Sequence, residues 1–224
     1  MERIAVLDFG GQYNQLIARR VREAGVYSEL IEHDAPLERI VGEGLSGIIF
    51  SGGPDSVYDE NAKTCLPGVF ELGVPILGIC YGMQYIAKSF GGEVSATAVK
   101  EYGKTDITVS DHPLLKGLDA GYVWMNHNDA VTRLPAGFAS IADTAHCCAA
   151  FANEEKKLYG IQFHAEVAHT PGGRHIIQNF LKNICRCECG YTPAGLADSL
   201  IRGVREQVGS SRVLGALSGG VDSS

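Results

Sequence analysis

The feature that most narrows the fold is a rhythm: short apolar runs of strand length alternate with stretches of helical periodicity through the first half of the chain. Alternation of that kind builds a parallel sheet covered by helices. IAVLDF (residues 4–9) reads as a buried strand. GGQ then opens a helix over 13–24, in which Leu16, Ile17, Val21 and Ala24 recur at helical spacing while Arg19, Arg20 and Arg22 lie off that stripe. Residues 26–31 give a second strand, GIIF (47–50) a third, and VPILGI (74–79) a fourth that runs straight into a helix over 81–90. After Gly91-Gly92 the rhythm changes. DITVS, YVWM and FASIA are short β-type runs between turns, read as antiparallel strands forming a flank or second layer. Residues 158–163 return to a buried strand, followed by a helix with Ile176, Ile177, Phe180, Leu181 and Ile184 on one face. The expected class is α/β: an open mixed, mainly parallel sheet flanked by helices, with an antiparallel β flank.

Past Cys189 the composition shifts. TPAGLADSLIRGVREQV reads as a separate amphipathic helix, and RVLGALSGGVDSS as an apolar strand running into a Gly-Ser loop in which the sequence stops. A strand and half a loop cannot form a domain, so the expected division is 1–190 for the main domain and 191–224 for a linker helix with the truncated start of another. A net charge of −7 with no Lys/Arg run argues against nucleic acid as a partner. No stretch approaches the roughly 20 apolar residues that span a bilayer, and no signal peptide is expected. Seven unevenly spaced cysteines fit a reducing, cytoplasmic setting better than a disulfide framework.

One cysteine stands apart. Gly78-Ile79-Cys80-Tyr81-Gly82 lies between a buried strand and a helix and matches the nucleophile-elbow pattern with Cys in place of Ser. A sharp strand-to-helix turn pushes the residue out of the sheet, and the helix N-terminus favours a thiolate. A lone cysteine at a strand end is more often a small buried hydrophobe; the flanking glycines shift this one to candidate nucleophile, and the other six, without such a context, are read as structural. A thiol nucleophile needs an imidazole. Of seven histidines, His164 follows the buried strand LYGIQF and has Glu166 two residues on. In an extended segment Gln162, His164 and Glu166 share a face, so the carboxylate can fix the imidazole tautomer. His-x-Glu alone would be an ordinary polar strand end. Cys80, His164 and Glu166 all fall at C-terminal strand ends, the edge where open α/β sheets assemble active sites, and together they specify acyl transfer through a thioester.

SGGP (51–54) ends the third strand, and a Gly-Gly turn there can aim N–H groups at an oxyanion. Taken together, DFGGQYNQLIARRVRE, SGGPDSVYDE, GICYGMQ, MNHNDAV and FHAEVAHTPGG followed by NFLKNIC resemble the class I glutamine amidotransferases, in their GMP synthetase branch, over residues 1–190. The resemblance implies Cys80 as nucleophile, His164 as general base and Glu166 as its orienter. It implies an oxyanion hole from the backbone N–H groups of Gly53 and Tyr81. It also implies contacts to glutamine from Gln84 and from the segment holding His127, Asn128 and Asp129. LSGGVDSS resembles the pyrophosphate loop of ATP pyrophosphatases, so Ser218, Gly219, Gly220, Val221, Asp222, Ser223 and Ser224 are expected to be an incomplete ATP loop. The implied activity is glutamine hydrolysis supplying ammonia to an ATP pyrophosphatase (synthetase) domain that aminates XMP to GMP. No cofactor is expected for the glutaminase itself, with ATP and Mg2+ needed by the complete synthetase.

The sequence departs from the family at Ala165, where Pro is usual, and at Asn126 and Asn128, where Ser and Gly are usual. Losing the proline is expected to loosen His164 and Glu166 slightly. Asn128 is expected to affect substrate fit or backbone conformation. Cys185, Cys187 and Cys189 lack the paired spacing of a zinc site, so no metal is expected. Two alternatives stay open: a catalytically weak regulatory or interaction module of a synthetase, and a γ-glutamyl hydrolase on the same fold.

Overall fold

The computed structural model describes residues 1–119 and 121–214. Ten strands and five α-helices occur among them: β1 (Arg3–Asp8), α1 (Asn14–Glu23), β2 (Tyr27–Glu32), α2 (Leu37–Val41), β3 (Leu45–Phe50), β4 (Ile76–Ile79), α3 (Tyr81–Ser89), β5 (Glu93–Asp106), β6 (Thr108–Val109), β7 (Tyr122–Arg133), β8 (Ala139–Asp143), β9 (Cys148–Asn153), β10 (Leu158–Ile161), α4 (Gly173–Asn179) and α5 (Pro193–Val208). A π-helical turn, Phe180–Ile184, continues α4.

Eight strands form one sheet in the order β2-β1-β3-β4-β10-β9-β8-β6. The first five pair in parallel, and β9, β8 and β6 continue the sheet antiparallel. The expected flank therefore divides. Part of it extends the main sheet, while β5 and β7 pair separately as a two-stranded antiparallel ribbon. The long single strand β5 was not legible, because its polar composition (EVSATAVKEYGKTD) lacks a clean alternation.

The parallel strands are apolar on both faces because both are covered. Ile4, Val6, Ile49, Leu77 and Ile79 pack with Ile17, Ala18 and Val21 of α1 and with Ile176, Ile177, Phe180 and Leu181. Ala5, Leu7, Ile48, Phe50 and Ile76 pack on the other side with Met83, Ile86 and Ala87 of α3. Residue by residue, β1 alternates between the two cores, as the two-residue period of a strand requires.

Two strands are shorter than expected. β4 begins at Ile76, after Val74-Pro75, and β10 ends at Ile161, so residues 162–166 lie beyond the strand in bends. The cysteine-rich segment Cys185 to Cys189 is packed. Cys187 is buried, and Cys185 and Cys189 lie against the first core.

By its contacts the chain divides into Met1–Gly190 and a unit beginning at Tyr191. In the latter, α5 is capped by Thr192, whose Oγ1 accepts from the Gly195 N–H at 3.0 Å, with Pro193 in the first turn. Residues 212–214 form no strand, and the loop residues Ser218 to Ser224 lie outside the described residues. No described helix is long and apolar enough to cross a membrane.

The β4–α3 junction is held by backbone contact too close for side chains. A Cβ on Gly78 would sit 2.4 Å from the Gly82 carbonyl carbon, and one on Gly82 would sit 2.6 Å from Phe50 O. Gly78→Ala should accordingly cost about 3 kcal/mol through overpacking against backbone that cannot give way. Urea unfolding of the two proteins measures it, and a loss below about 1 kcal/mol would show that the junction can relax.

Candidate active site

The junction of β4 and α3 sets the geometry of Cys80. Its φ of 52° and ψ of −106° lie where L-residues rarely go, a strain of about 1–3 kcal/mol that persists because neighbours impose it. The Cys80 N–H donates to Ile161 O at 2.8 Å, the Gly82 N–H to Ser51 O at 3.2 Å, and the Gln84 N–H to Cys80 O at 3.2 Å. The turn is thus tied to β10, to β3 and to its own helix.

β10 is the parallel neighbour of β4, with Ile161 level with Ile79. Three residues past its end stands His164, whose backbone is fixed from two sides. Its N–H donates to Trp124 O at 3.1 Å, and its carbonyl accepts from Thr170 Oγ1 at 2.6 Å. These bonds, together with the burial of Ala165, hold the segment without a proline.

The His164 Nδ1 lies 2.7 Å from Glu166 Oε1, and the pair is buried, Glu166 almost completely. The pairing expected from an extended strand thus occurs in the bend after it. The Cys80 thiol is near enough to the ring to favour its charged form. Burial, the largest single influence, opposes charge on His164. The hydrogen bonds to Cys80 and Glu166 and their charges outweigh it and push the pKa up to about 10. That value lies above the unfolded one, so the interaction adds stability that is complete below about pH 6.5 and is lost as the pH rises through about 10. Tyr13 abuts the ring edge-on, 5.3 Å between centroids.

Sequence periodicity put Arg20 off the core stripe, yet its Nε donates to Glu166 O at 3.0 Å and steadies the segment. Gln162 was visible only as a residue on the same face; its Nε2 donates to Cys80 Sγ at 3.6 Å. Neither role has a local signal, since each depends on which strands become neighbours.

Two adjoining depressions meet at Cys80. The first is lined by Gly10, Gly11, Tyr13, Gly52, His164 and Glu166, and the second by Ser56, Tyr81, Gln84, Tyr102, Asn128 and Asp129. Gly53 and Asn126 border both. The 51–54 loop passes close to the pair: a Cβ on Gly52 would lie 3.3 Å from His164 Cε1 and 3.8 Å from Cys80 Cβ. Among the described residues the Gly53 and Tyr81 amides have no acceptor, and Tyr81 is the first residue of α3, where such N–H groups are free by construction. Ser51 Oγ donates to Gly52 O at 2.8 Å and so holds the Gly52–Gly53 peptide.

The MNHNDAV segment lies in β7. Asn126 O is 3.9 Å from Cys80 Sγ. Asn128 has an ordinary strand φ, so no left-handed conformation is required of it, and its Oδ1 accepts from Tyr102 at 2.6 Å. Asp129 accepts from Ser56 Oγ at 2.6 Å. The Gln84 Nε2 is engaged with Asp129 O and Gln162 Oε1. His127 is buried, with ring nitrogens at Asp129 O and Glu101 Oε2. Glu101, His127 and Cys147 bring their polar atoms within 4.8 Å of one another, a cluster that sequence spacing did not reveal.

Burial pushes the thiols of Cys65, Cys148 and Cys187 up to about 11 and that of Cys147 to about 12; Cys185 and Cys189 are raised as well. All six are held as thiols.

Glu166→Gln should lower the His164 pKa, because it removes one of the two neighbours that raise it while burial still opposes the charged ring. NMR titration of the ring reads this directly, and an unchanged titration would show that the carboxylate does not set its state.

The sequence profile of the class-I glutamine amidotransferases matches residues 5–184. The GMP synthase [glutamine-hydrolyzing] of Caldicellulosiruptor saccharolyticus is 54% identical over the whole chain, and that of Geobacillus kaustophilus is also 54% identical; the chain spans 44% of the length of each. A crystal structure assigned to a GMP synthase subunit from Thermoplasma acidophilum is 34% identical, with a TM-score of 0.74 over 92% of this chain and 98% of that one. A glutamine amidotransferase from Thermotoga maritima, 22% identical, shares the fold with a TM-score of 0.58 over 92% of each chain. With the profile match covering most of its length, the chain belongs to the class-I glutamine amidotransferase family.

Proposed function

We propose that this chain hydrolyses glutamine to glutamate and ammonia through a thioester on Cys80. The observation that carries the reading is the line Cys80–His164–Glu166, in which a strained elbow cysteine meets an imidazole oriented by a buried carboxylate. Cys80 Sγ attacks the side-chain carbonyl carbon, and the Gly53 and Tyr81 N–H groups receive the oxyanion. As the C–N bond breaks, the imidazolium of His164 protonates the departing ammonia. The neutral ring then takes a proton from water, which attacks the thioester and releases glutamate. Glu166 keeps the second ring nitrogen occupied throughout, so only the one facing sulfur exchanges protons. The pocket beside Tyr81, with Gln84, His127, Asn128 and Asp129 along it, takes the amino-acid end of the substrate. No cofactor takes part in this half of the chemistry.

The ammonia goes to a synthetase that uses ATP and Mg2+ to aminate XMP to GMP, in a cytoplasmic setting. Relatives named GMP synthase and their greater length support this reading, as does the resemblance of residues 218–224 to a pyrophosphate loop. Residues 1–190 are the amidotransferase domain in this scheme, and 191–224 lead into the ATP pyrophosphatase domain.

Cys80→Ala should abolish ammonia release while leaving the unfolding midpoint within a few degrees of the parent. A glutamine-like electrophile should label Cys80 alone, since the other six thiols are held protonated. Labelling elsewhere with Cys80 untouched would sink the assignment.

Coupling to the synthetase should act on the Gly52–Gly53 peptide, because a plane between two glycines turns at little steric cost once its carbonyl leaves Ser51 Oγ and an oxyanion donor is worth about 10²–10³ in rate. The chain alone should be a poor glutaminase whose kcat rises at least tenfold with a synthetase domain and its nucleotides present. Equal, high kcat in both conditions would remove the coupling.

A further inference from the structure

A buried chain of polar contacts starts 26 residues before the strand segment at the pocket and ends on the nucleophile's sulfur. Glu101 Oε2 lies 3.2 Å from His127 Nε2, and His127 Nδ1 lies 3.0 Å from Asp129 O. Asp129 O also accepts from Gln84 Nε2 at 2.6 Å. The same Gln84 nitrogen donates to Gln162 Oε1 at 3.2 Å, and Gln162 Nε2 donates to Cys80 Sγ at 3.6 Å. Glu101, His127, Gln84 and Gln162 are all at most 5% exposed, and in so dry a setting a hydrogen-bond geometry once set is costly to change.

We propose that Glu101 is a positioning residue for the amide hydrolysis: by holding His127 it fixes the Asp129 carbonyl, and through Gln84 and Gln162 it sets where the Cys80 sulfur lies. This rests on the proposed function for its catalytic meaning. Glu101 itself touches neither depression, since the lining of both begins at the residues that it supports.

Three observations favour a positioning role over chance. Glu101 Oε1 is buried without a partner, an arrangement that stable interiors avoid unless the group serves some purpose. The Cys147 thiol donates to the same Oε2 at 3.2 Å, so the carboxylate is clamped from a second element. Burial pushes the His127 pKa down, and a neutral ring has one N–H, so it donates to one of the two oxygens and abuts the other as a spacer. A metal fits less well. His127 and Cys147 both meet one oxygen of Glu101 and are already engaged there, and burial holds the Cys147 thiol protonated, up to about 12, the form that donates rather than ligates.

Two conservative variants separate position from charge. Glu101→Gln keeps the length of the side chain and an oxygen for His127, and should keep kcat/KM for glutamine within threefold of the parent. Glu101→Asp keeps the charge but withdraws the oxygen, and should lower kcat/KM at least tenfold. It should also speed hydrogen exchange of the Gln84 and Gln162 side-chain amides at least fivefold, with the β1 backbone amides unchanged. The opposite ordering of the variants would overturn the proposal, as would Glu101→Asp with unaltered kinetics and exchange. So would one zinc ion per parent chain that is lost in Glu101→Asp. If the parent releases no ammonia, the proposed function fails, while the exchange measurement still decides whether Glu101 holds Gln162 and Gln84.

Discussion

Everything in the site hangs from the backbone contact between the end of β4 and the first turn of α3. Gly78 and Gly82 come together at a distance that admits no Cβ, and Phe50 of β3 closes the other side. That contact holds Cys80 in its left-handed φ at the start of α3, whose first amide has no acceptor among the described residues. The strain is local, and the two cores on either side of the sheet hold it in place. Cys80 keeps its unusual backbone because the surrounding structure has no room to relax it.

The charge state of the site follows from burial acting against itself. Taking an imidazole out of water favours the neutral ring, but the same dry surroundings strengthen its contacts with Glu166 and with sulfur, and these prevail. At His127 the balance falls the other way, and burial keeps the pKa low despite Glu101 nearby. The two histidines are thereby pushed in opposite directions, His164 toward the charged ring and His127 toward the neutral one.

Much of this was legible in the sequence. The alternation of strand and helix located β1 to β4 with α1 and α3, though not the short α2, and the glycine bracket singled out Cys80 from seven cysteines. His164 and Glu166 were found by an argument that needed an extended chain, whereas the chain there bends; the pair still meets because Trp124 and Thr170 pin the backbone between them. Arg20 and Gln162 carried no readable signal, because their partners lie 146 and 82 residues away. The antiparallel region was read only as a class. Strand β5 is polar along much of its length, and whether a strand joins the main sheet or forms its own ribbon is decided by tertiary pairing.

The adjacency of β4 and β10 has a consequence for how such a chain can vary. The strands that lead into Cys80 and His164 are parallel neighbours, in register at Ile79 and Ile161, although the whole ribbon and the antiparallel edge intervene in the sequence. Their separation is therefore a spacing of the sheet, about 4.8 Å per strand, and is independent of the length of what lies between. The loops of the intervening chain that carry neither the Trp124 contact to His164 nor the contacts among Glu101, His127 and Gln84 are free to lengthen, shorten or change their surface, so that part of the molecule can diverge while the spacing of the two strand ends is kept.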